Sequence, residues 1–243
     1  MDPEAFERRR CSFGPSAELY DTYRPSYPAE AAAWMIGDPP QRVVDLGAGT
    51  GIFSRLAASL GHDVVAVEPD EGMRARLVAV SPGVAVLAGS AEAIPLPDAS
   101  VEVVTAAQAF HWFDNDAARA EIARVLCAGG VFAPVWNVRD DAVPWVAELS
   151  RIAGLEDTHS SELAQDRDFG PAFAAPERRV FRHAVPQTAE SLVSLVLSRS
   201  QWLVAGEDDR ERVAGEVRAL AAGLPEPFQL PYATVAYRAV RMA

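Results

Sequence analysis

The sequence predicts an α/β fold with a doubly wound, mostly parallel sheet of seven strands. Short β-branched runs alternate with helical stretches between residues 42 and 137, and this alternation is typical of parallel strands joined by crossover helices. The runs are apolar almost throughout, as expected for strands that are covered on both faces. Two alternating runs near the end of the chain, 177–185 and 232–241, predict an antiparallel strand pair that closes one sheet edge.

The central part of the chain supplies five of the seven predicted strands. Glycine, proline and acidic residues separate the apolar runs from one another, as turns require. The elements expected there are strands over 42–47, 63–68, 84–89, 101–108 and 129–137, with helices over 50–60, 71–79 and 115–126.

The two ends of the chain differ in character from its centre. The stretch SAELYDTYRPSYP and a predicted helix over 29–36 lie within the first 40 residues, which we expect to form a lid over the carboxyl ends of the strands. Proline-punctuated acidic stretches occupy 140–178, where we expect inserted helices, and two helical segments are predicted within 188–222.

Composition excludes several classes of protein. No apolar run approaches the roughly 18 residues that a membrane span needs, and the N-terminal residues lack the apolar core of a signal peptide, so we expect a cytoplasmic protein that does not bind a membrane. All 22 basic residues are arginines, which excludes the Schiff-base lysine of pyridoxal-phosphate enzymes and the P-loop lysine. The formal net charge of −12 argues against nucleic acid and favours a small-molecule partner.

Metal-binding and disulfide patterns are absent from the sequence. Cys11 and Cys127 are far apart, and the four histidines show no ligand spacing, so we expect two free thiols and no metal.

The segment VVDLGAGTGIF carries the strongest functional signal. A strand delivers Asp45 and is followed by a turn that contains Gly47, Gly49 and Gly51 before the next helix begins. In an open parallel sheet such a turn lies at the carboxyl edge, where ligands bind. Glu68 ends the next strand, where a carboxylate can accept hydrogen bonds from ribose hydroxyls, so these residues predict a nucleoside pocket.

Two kinds of cofactor suit a nucleoside pocket, and the glycine spacing separates them. The dinucleotide motif GxGxxG requires a small residue at position 52, where this chain has Ile52, and the third glycine is at 51. The run from Asp45 to Gly51 instead resembles the first motif of the class I S-adenosylmethionine-dependent methyltransferases, an acid followed by GxGxG. The stretch GSAEAIPLPDASVEVVTAAQAFHWFD extends the resemblance, which covers most of 20–140.

The resemblance implies a Rossmann-like methyltransferase that uses S-adenosylmethionine and releases S-adenosylhomocysteine. Matching its motifs position by position implies that Glu68 holds the ribose and that Asp45 and Gly47 face the aminoacyl group. Core packing is an equal alternative for Met73. The full set of cofactor residues implied is Tyr20, Arg24, Asp45, Gly47, Ala48, Gly49, Gly51, Glu68, Pro69, Met73, Ser90, Ala91, Glu92, Gln108 and Ala109.

A narrower resemblance rests on YDTYRPSYP and AQAFHWFD, which together are similar to the trans-aconitate methyltransferase-like group within the type 11 methyltransferases. The N-terminal segment then places Tyr20, Tyr23 and Arg24 over the cofactor, with the Arg24 guanidinium on its carboxylate. A plain salt bridge is the alternative for Arg24. The chain departs from the group after 140, so the acceptor does not carry over.

His111 is the candidate catalytic residue, because it follows the fourth strand at the rim of the predicted pocket. It can act as a general base, or it can join the Trp112 indole in hydrogen-bonding an acceptor carboxylate, or both side chains can simply pack. Arg139 either pairs with an anionic acceptor or forms a solvated ion pair with Asp140 or Asp141. The predicted substrate-binding residues are Phe13, Tyr23, Phe110, His111, Trp112, Trp136, Asn137 and Arg139.

These features predict transfer of a methyl group to an oxygen, carboxylate or hydroxyl, of a small-molecule acceptor. A nicotinamide-dependent oxidoreductase and a non-catalytic S-adenosylmethionine-binding module are the alternatives. We expect a single domain over 1–243, divided into a lid over 1–40, a cofactor-binding core over 41–137, and substrate-side insertions with the strand pair over 138–243.

Overall fold

The computed structural model describes residues 17–113, 115–154 and 168–242. Phe13, Cys11 and His159 lie outside these residues. The strands that the described chain forms are β1 (Arg42–Leu46), β2 (Asp63–Val67), β3 (Ala85–Leu87), β4 (Val101–Ala107), β5 (Leu126–Arg139), β6 (Glu177–Gln187) and β7 (Phe228–Val240).

The strands form one sheet in the order β3-β2-β1-β4-β5-β7-β6. Its first five strands are parallel, with Asp45 opposite Ala66 on β2 and Thr105 on β4. The chain order reverses between β1 and β4, and in open α/β sheets ligands bind beyond the carboxyl ends of the strands at such a point. The Asp140 N–H donates to the Pro231 carbonyl at 3.0 Å, which pairs the end of β5 with the start of β7 in antiparallel fashion.

Helices connect the strands, and two of them begin with an N-cap residue whose side chain accepts a backbone hydrogen bond. Asp70 and Asn115 accept hydrogen bonds from the backbone N–H groups of Met73 and Ala118, so each fixes the first turn of its helix. The helices are α1 (Ala17–Tyr23), α2 (Ala29–Ile36), α3 (Ile52–Ser59), α4 (Glu71–Val80), α5 (Asp116–Val125), α6 (Pro144–Ile152), α7 (Ala189–Leu197), α8 (Ser200–Leu203) and α9 (Glu207–Ala221).

The chain forms two compact units. The described part of the first unit comprises 17–25, 138–154 and 182–233. In this unit α6, α7 and α9 pack their apolar faces together, and its buried core includes Val146, Leu149, Leu192, Val196, Val213 and Val217.

The second unit comprises 26–137 except 114, together with 168–181 and 234–242. It contains the parallel strands, and its core includes Met35, Val43, Phe53, Val64, Val103 and Val135. Because the core residues of α2, α3, β1, β2, β4 and β5 contact one another here, this unit holds the carboxyl ends of β1, β2 and β4 in fixed register.

The seven-stranded sheet, its parallel part and the C-terminal antiparallel pair confirm the predicted fold class. Other details differ from the prediction. Helix α1 was not predicted, and 188–222 forms three helices instead of two because a single turn, α8, separates α7 from α9. The division of one domain into 1–40, 41–137 and 138–243 stays a prediction, and each of the two units is assembled from three separate segments.

Two further features concern only the part of the chain that the structure describes. No helix there is both long and apolar enough to cross a lipid bilayer. In the same residues, His, Cys, Asp and Glu side chains form no group of three or more that could hold a metal ion.

Candidate functional site

The glycine-rich turn joins β1 to α3 and has an unusual backbone. Gly47 and Gly49 have φ values of 67° and 57°, which favour glycine. A Cβ at Gly47 would lie 2.8 Å from the Cβ of Ala109, so a side chain would collide with the segment after β4. A Cβ at Gly49 would meet nothing within 4 Å. The turn therefore packs tightly at one glycine and faces open space at the other.

Asp45 is buried beneath this turn with 1% of its surface exposed. The Ser54 hydroxyl donates to its Oδ2 at 2.6 Å, and the Thr105 hydroxyl donates to Oδ1 at 3.2 Å. Burial raises the pKa of Asp45 to about 6, with a smaller contribution from the charge of Glu68, although the two hydroxyls oppose the shift. Asp45 thus connects β1 to α3 and β4, and its predicted contact with the aminoacyl group stays a prediction.

Glu68 lies just beyond β2 and joins two turns through its carboxylate. Its Oε2 accepts from the Gly49 N–H and its Oε1 from the Asp70 N–H, both at 2.8 Å. The residue is 7% exposed, and burial raises its pKa. Since an ionised carboxylate has about four acceptor positions, Glu68 retains the capacity to accept from two hydroxyls while it holds both amides.

The predicted adenine segment follows β3. Ser90 forms an isolated bridge with Ala93, and Ala91 is 5% exposed. The Asn115 side chain donates to Glu92 Oε1 at 3.1 Å, which ties this segment to the start of α5. Met73 is 4% exposed, so its burial is consistent with the packing alternative. The adenine contacts of these residues and of Pro69 stay predictions.

Gln108 directly follows β4 and has a strained backbone. Its φ of 54° is uncommon for a residue other than glycine, and such strain concentrates at functional sites. Its side-chain amide donates to the carbonyl of Asn137 at 3.0 Å. Asn137 is 7% exposed, donates to the Ser26 carbonyl at 3.1 Å, and accepts from the Thr234 hydroxyl at 2.6 Å. These contacts give Asn137 a structural role, and its predicted contact with substrate stays a prediction.

His111 lies on a 3₁₀ turn over Phe110–Trp112 and is exposed. The indole N–H of Trp136 donates to His111 Nδ1 at 3.4 Å, and the ring centroids of His111 and Trp112 are 5.0 Å apart. Because Nδ1 is the acceptor in this bond, the tautomer that fits it carries its proton on Nε2. The site therefore presents a ring N–H donor at Nε2.

Phe110 and Trp136 are both 1% exposed. The Phe110 ring makes edge contacts with Phe113, Phe132 and Phe169 at centroid distances of 5.7, 5.2 and 5.5 Å. These contacts explain Phe110 by packing alone, so its role in an acceptor pocket stays a prediction.

Several predicted site residues belong to the first unit. The Arg24 guanidinium lies 4.8 Å from the centre of the Tyr20 ring and donates to the Ser198 carbonyl at 3.2 Å. Tyr23 packs against the helical core of that unit. The cofactor and substrate roles of these three residues stay predictions.

Arg139 also belongs to the first unit, and it is buried with 2% of its surface exposed. The alternative of a solvated ion pair is therefore wrong. Asp140 pairs with Arg182 instead, and Asp141 accepts from the Ser150 hydroxyl at 2.8 Å. Burial lowers the pKa of Arg139.

Comparison with known proteins shows the family of this chain. The methyltransferase domain family matches residues 44–133, which include the glycine-rich turn, Glu68 and His111. An uncharacterized methyltransferase from Mycobacterium tuberculosis is 40% identical over 237 residues, which cover 94% of this chain and 95% of the relative. The chain belongs to the class I S-adenosylmethionine-dependent methyltransferases.

Two further relatives agree with this assignment. A methyltransferase-like protein from Schizosaccharomyces pombe is 36% identical over 238 residues, covering 90% of this methyltransferase and 91% of the relative. A solved structure from Anaeromyxobacter dehalogenans, provisionally named a type II methyltransferase, is 27% identical with a TM-score of 0.65 and covers 90% of this chain and 98% of its own. The family predicted from the sequence motifs is thereby confirmed.

The methyltransferase also has a positioning pair that the sequence motifs do not reveal. Arg124 on α5 donates to the carbonyls of Leu96 and Ile94 at 2.8 and 2.9 Å, and Glu121 accepts from the Ile94 N–H at 2.9 Å. This pair braces the loop after the predicted adenine segment. The spacing of three residues on one helix is visible in the sequence, but nothing there indicates that both side chains reach this loop.

Proposed function

We propose that this methyltransferase binds S-adenosylmethionine at the glycine-rich turn and transfers its methyl group to an oxygen, carboxylate or hydroxyl, of a small-molecule acceptor. The observation that carries the proposal is the pairing of Glu68 with Gly49. A buried carboxylate that still has acceptor positions for ribose hydroxyls lies beside a glycine whose missing side chain leaves open space. Such a combination suits a nucleoside that approaches the backbone closely.

The residues of the turn fit this cofactor better than a dinucleotide. Gly51 is followed directly by Ile52, the first residue of α3, so the third small residue of the dinucleotide motif is missing. The acid at position 45 accepts one hydroxyl on each oxygen, from Ser54 and Thr105, and so holds the strand end before the turn against α3 and β4. Rigidity matters because methyl transfer is an in-line displacement that depends on alignment of the reacting atoms.

S-adenosylmethionine supplies a methyl group on a positively charged sulfur, which makes the carbon electrophilic. The protein has to hold an acceptor oxygen in line with that carbon. Glu68 orients the ribose, and Gln108, fixed on the Asn137 carbonyl, positions the backbone at the end of β4. No covalent enzyme intermediate is required, and a carboxylate acceptor is already ionised at pH 7, so it needs no base.

We infer that His111 anchors a carboxylate acceptor, which has no proton to lose, instead of acting as a base. The Trp136 indole occupies Nδ1, so Nε2 carries the proton and is a donor. A ring N–H at an exposed position suits a carboxylate or carbonyl oxygen as its partner. The base role would require the proton to move to Nδ1, with loss of the Trp136 hydrogen bond.

Calorimetric titration with S-adenosylmethionine, S-adenosylhomocysteine and NADH tests the cofactor. We expect binding of both sulfur nucleosides and none of NADH. Glu68→Gln should weaken binding of S-adenosylhomocysteine by roughly 10- to 100-fold, the cost of a hydrogen bond to a charged group. Glu71→Gln, at an exposed position on α4, is the matched control and should bind as the wild type does. Binding of NADH alone would overturn the proposal.

Mass spectrometry of carboxylic acids and phenols incubated with enzyme and S-adenosylmethionine tests the transfer. The expected product is heavier by one methyl group. For a carboxylate acceptor, His111→Phe should raise KM and leave kcat nearly unchanged, because only the anchor is lost. Loss of kcat with unchanged KM would restore the base role. Cofactor binding without turnover of any acceptor would favour a non-catalytic binding module.

A further inference from the structure

The first unit contains a row of three side chains across its antiparallel strands. The hydrogen bond from the Asp140 N–H to the Pro231 carbonyl makes Arg139 on β5 and Tyr232 on β7 cross-strand neighbours. The Tyr232 side chain raises the pKa of Arg139, because it favours the charged form of the guanidinium. On the other side, the His183 ring on β6 stacks on Tyr232 with centroids 5.5 Å apart and planes 20° apart. We call these three residues and Arg24 the Arg139 cluster.

Three nitrogen atoms of the Arg139 cluster are buried and lack a hydrogen-bond partner among the described residues. They are Nη1 of Arg139, Nε of Arg24 and Nε2 of His183. Buried polar atoms are nearly always hydrogen-bonded, so three such atoms in one cluster require an explanation. The two arginine nitrogens are obligatory donors, and His183 Nε2 is a donor in one neutral tautomer. The cluster is therefore complementary to a group that only accepts hydrogen bonds.

The charges around the cluster indicate the same kind of ligand. Arg139 is 2% exposed. The positive charge of Arg24 lowers the pKa of Arg139, because like charges repel. The negative charge of Asp141 raises the pKa of Arg139, but Asp141 also accepts a hydrogen bond from Ser150. The neighbouring Asp140 forms an ion pair with Arg182. The carboxylate that favours the charge of Arg139 thus already has another partner, whereas buried charges are normally fully paired.

We propose that the Arg139 cluster binds an oxyanion, the carboxylate or phosphate group of a small molecule. Planar guanidinium donors match both groups, and the imidazole and tyrosine hydroxyl supply further polar contacts. The oxyanion would complete the hydrogen bonding of Arg139 and add the missing negative charge. The inference rests on the proposed function only in identifying this small molecule with the methyl acceptor, which would then be an organic acid or a phosphorylated compound.

Thermal unfolding in the presence of anions tests the cluster without any cofactor. Sodium citrate, sodium phosphate and sodium chloride are compared at equal ionic strength. A ligand that binds only the folded state raises Tm, so we expect a saturable rise of several degrees with citrate or phosphate and none with chloride. Whichever of the two anions acts at lower concentration identifies the group as carboxylate or phosphate. An equal effect of chloride would overturn the proposal.

Arg139→Met removes the charge while keeping a long apolar side chain, and it should abolish the rise. Arg212→Met, in an exposed ion-pair network on α9, is the matched control and should keep it. If circular dichroism shows that Arg139→Met does not fold, Arg24→Gln takes its place, because Arg24 is only partly buried and its variant should weaken the response at least several-fold. An unchanged response in the folded variant would overturn the proposal.

Titration with S-adenosylhomocysteine in the same samples separates this inference from the proposed function. Normal binding of the nucleoside together with no anion response overturns the inference alone. An anion response that depends on Arg139, without binding of the nucleoside, supports the inference and overturns the proposed cofactor site.

Discussion

Asp45 and Glu68 end neighbouring parallel strands, and both carboxylates are buried, yet their partners differ. Asp45 accepts from two side-chain hydroxyls that belong to α3 and β4. Glu68 accepts from two backbone N–H groups in turns at the edge of the sheet. The first carboxylate therefore holds β1 against α3 and β4, whereas the second holds the glycine-rich turn, which faces open space at Gly49.

The raised pKa of Asp45 makes stability depend on pH. Between its unfolded value of 3.8 and its folded value of about 6, the folded state keeps a proton that the unfolded state releases. This contribution is present at low pH and is lost as the pH rises through 6. Relative to Asp45→Asn, the wild type should lose about 2 kcal/mol of unfolding free energy between pH 4.5 and 7.5. Urea denaturation across this range measures the difference, and parallel pH profiles would contradict the assignment.

Gly49 and Gly83 form a matched pair for testing the open space in the turn. Both have positive φ, at 57° and 97°, and a Cβ would meet nothing within 4 Å at either position. Alanine should lower stability by roughly 1–2 kcal/mol at each, because L-residues disfavour this backbone. Only Gly49→Ala places its methyl group in the open space of the turn that Glu68 holds, so we expect it alone to weaken S-adenosylhomocysteine binding at least roughly tenfold. Equal affinities in a calorimetric titration would remove Gly49 from the site.

At the level of elements, the parallel strands were predictable because each is a short β-branched run bounded by turn residues. The boundaries of α5 were also close to prediction, since Asn115 is a strong N-cap and accepts from Ala118. Helix α1 was missed because its aromatic residues, followed by Pro25 and Pro28, suggested an irregular segment. The single turn α8 is too short to give a periodic signal.

The residues of the candidate site were predictable only where a local sequence motif fixes their position. Asp45 and Glu68 are predictable because a local motif fixes their positions at strand ends. Phe110 and Asn137 were assigned to substrate, but their neighbours come from distant parts of the chain, such as Phe169 and Thr234. Sequence spacing places a residue at a sheet edge, and it does not reveal which long-range partners bury that residue.

The contacts that Arg124 and Glu121 on α5 make with the loop at 94–96 lead to a prediction at the level of elements. Arg124→Met removes the donors to the Ile94 and Leu96 carbonyls, which should loosen the loop after the adenine segment. We expect S-adenosylhomocysteine affinity to fall roughly 3- to 10-fold, because one hydrogen bond to a charged group is worth up to about 3 kcal/mol and the effect is indirect. Arg119→Met on the same helix is the control, since Arg119 forms an ion pair with Asp116 on that helix. Equal affinities in the two variants would exclude this positioning role.

At the scale of the whole molecule, the two units carry different chemistry. The second unit presents the glycine-rich turn, Glu68 and His111, all within the segment shared with the methyltransferase domain family. The first unit contains the Arg139 cluster, which lies outside that segment. The proposed nucleoside pocket and the Arg139 cluster therefore belong to different units, and the residues of the cluster can vary without changing the glycine-rich turn.

Two ligands should accordingly protect two different sets of backbone amides from hydrogen exchange. S-adenosylhomocysteine should slow exchange in 47–51 and 68–70, because it immobilises the turns that Glu68 joins. The oxyanion identified by thermal unfolding should slow exchange in 139–141 and 231–233, next to Arg139 and Tyr232. Exchange followed by mass spectrometry of peptides resolves these segments. Protection of the second set by S-adenosylhomocysteine alone would show that this ligand also acts on the first unit, and would contradict separate sites. Two distinct patterns in the wild type, with the oxyanion pattern lost in Arg139→Met, would establish that each unit contributes its own binding site.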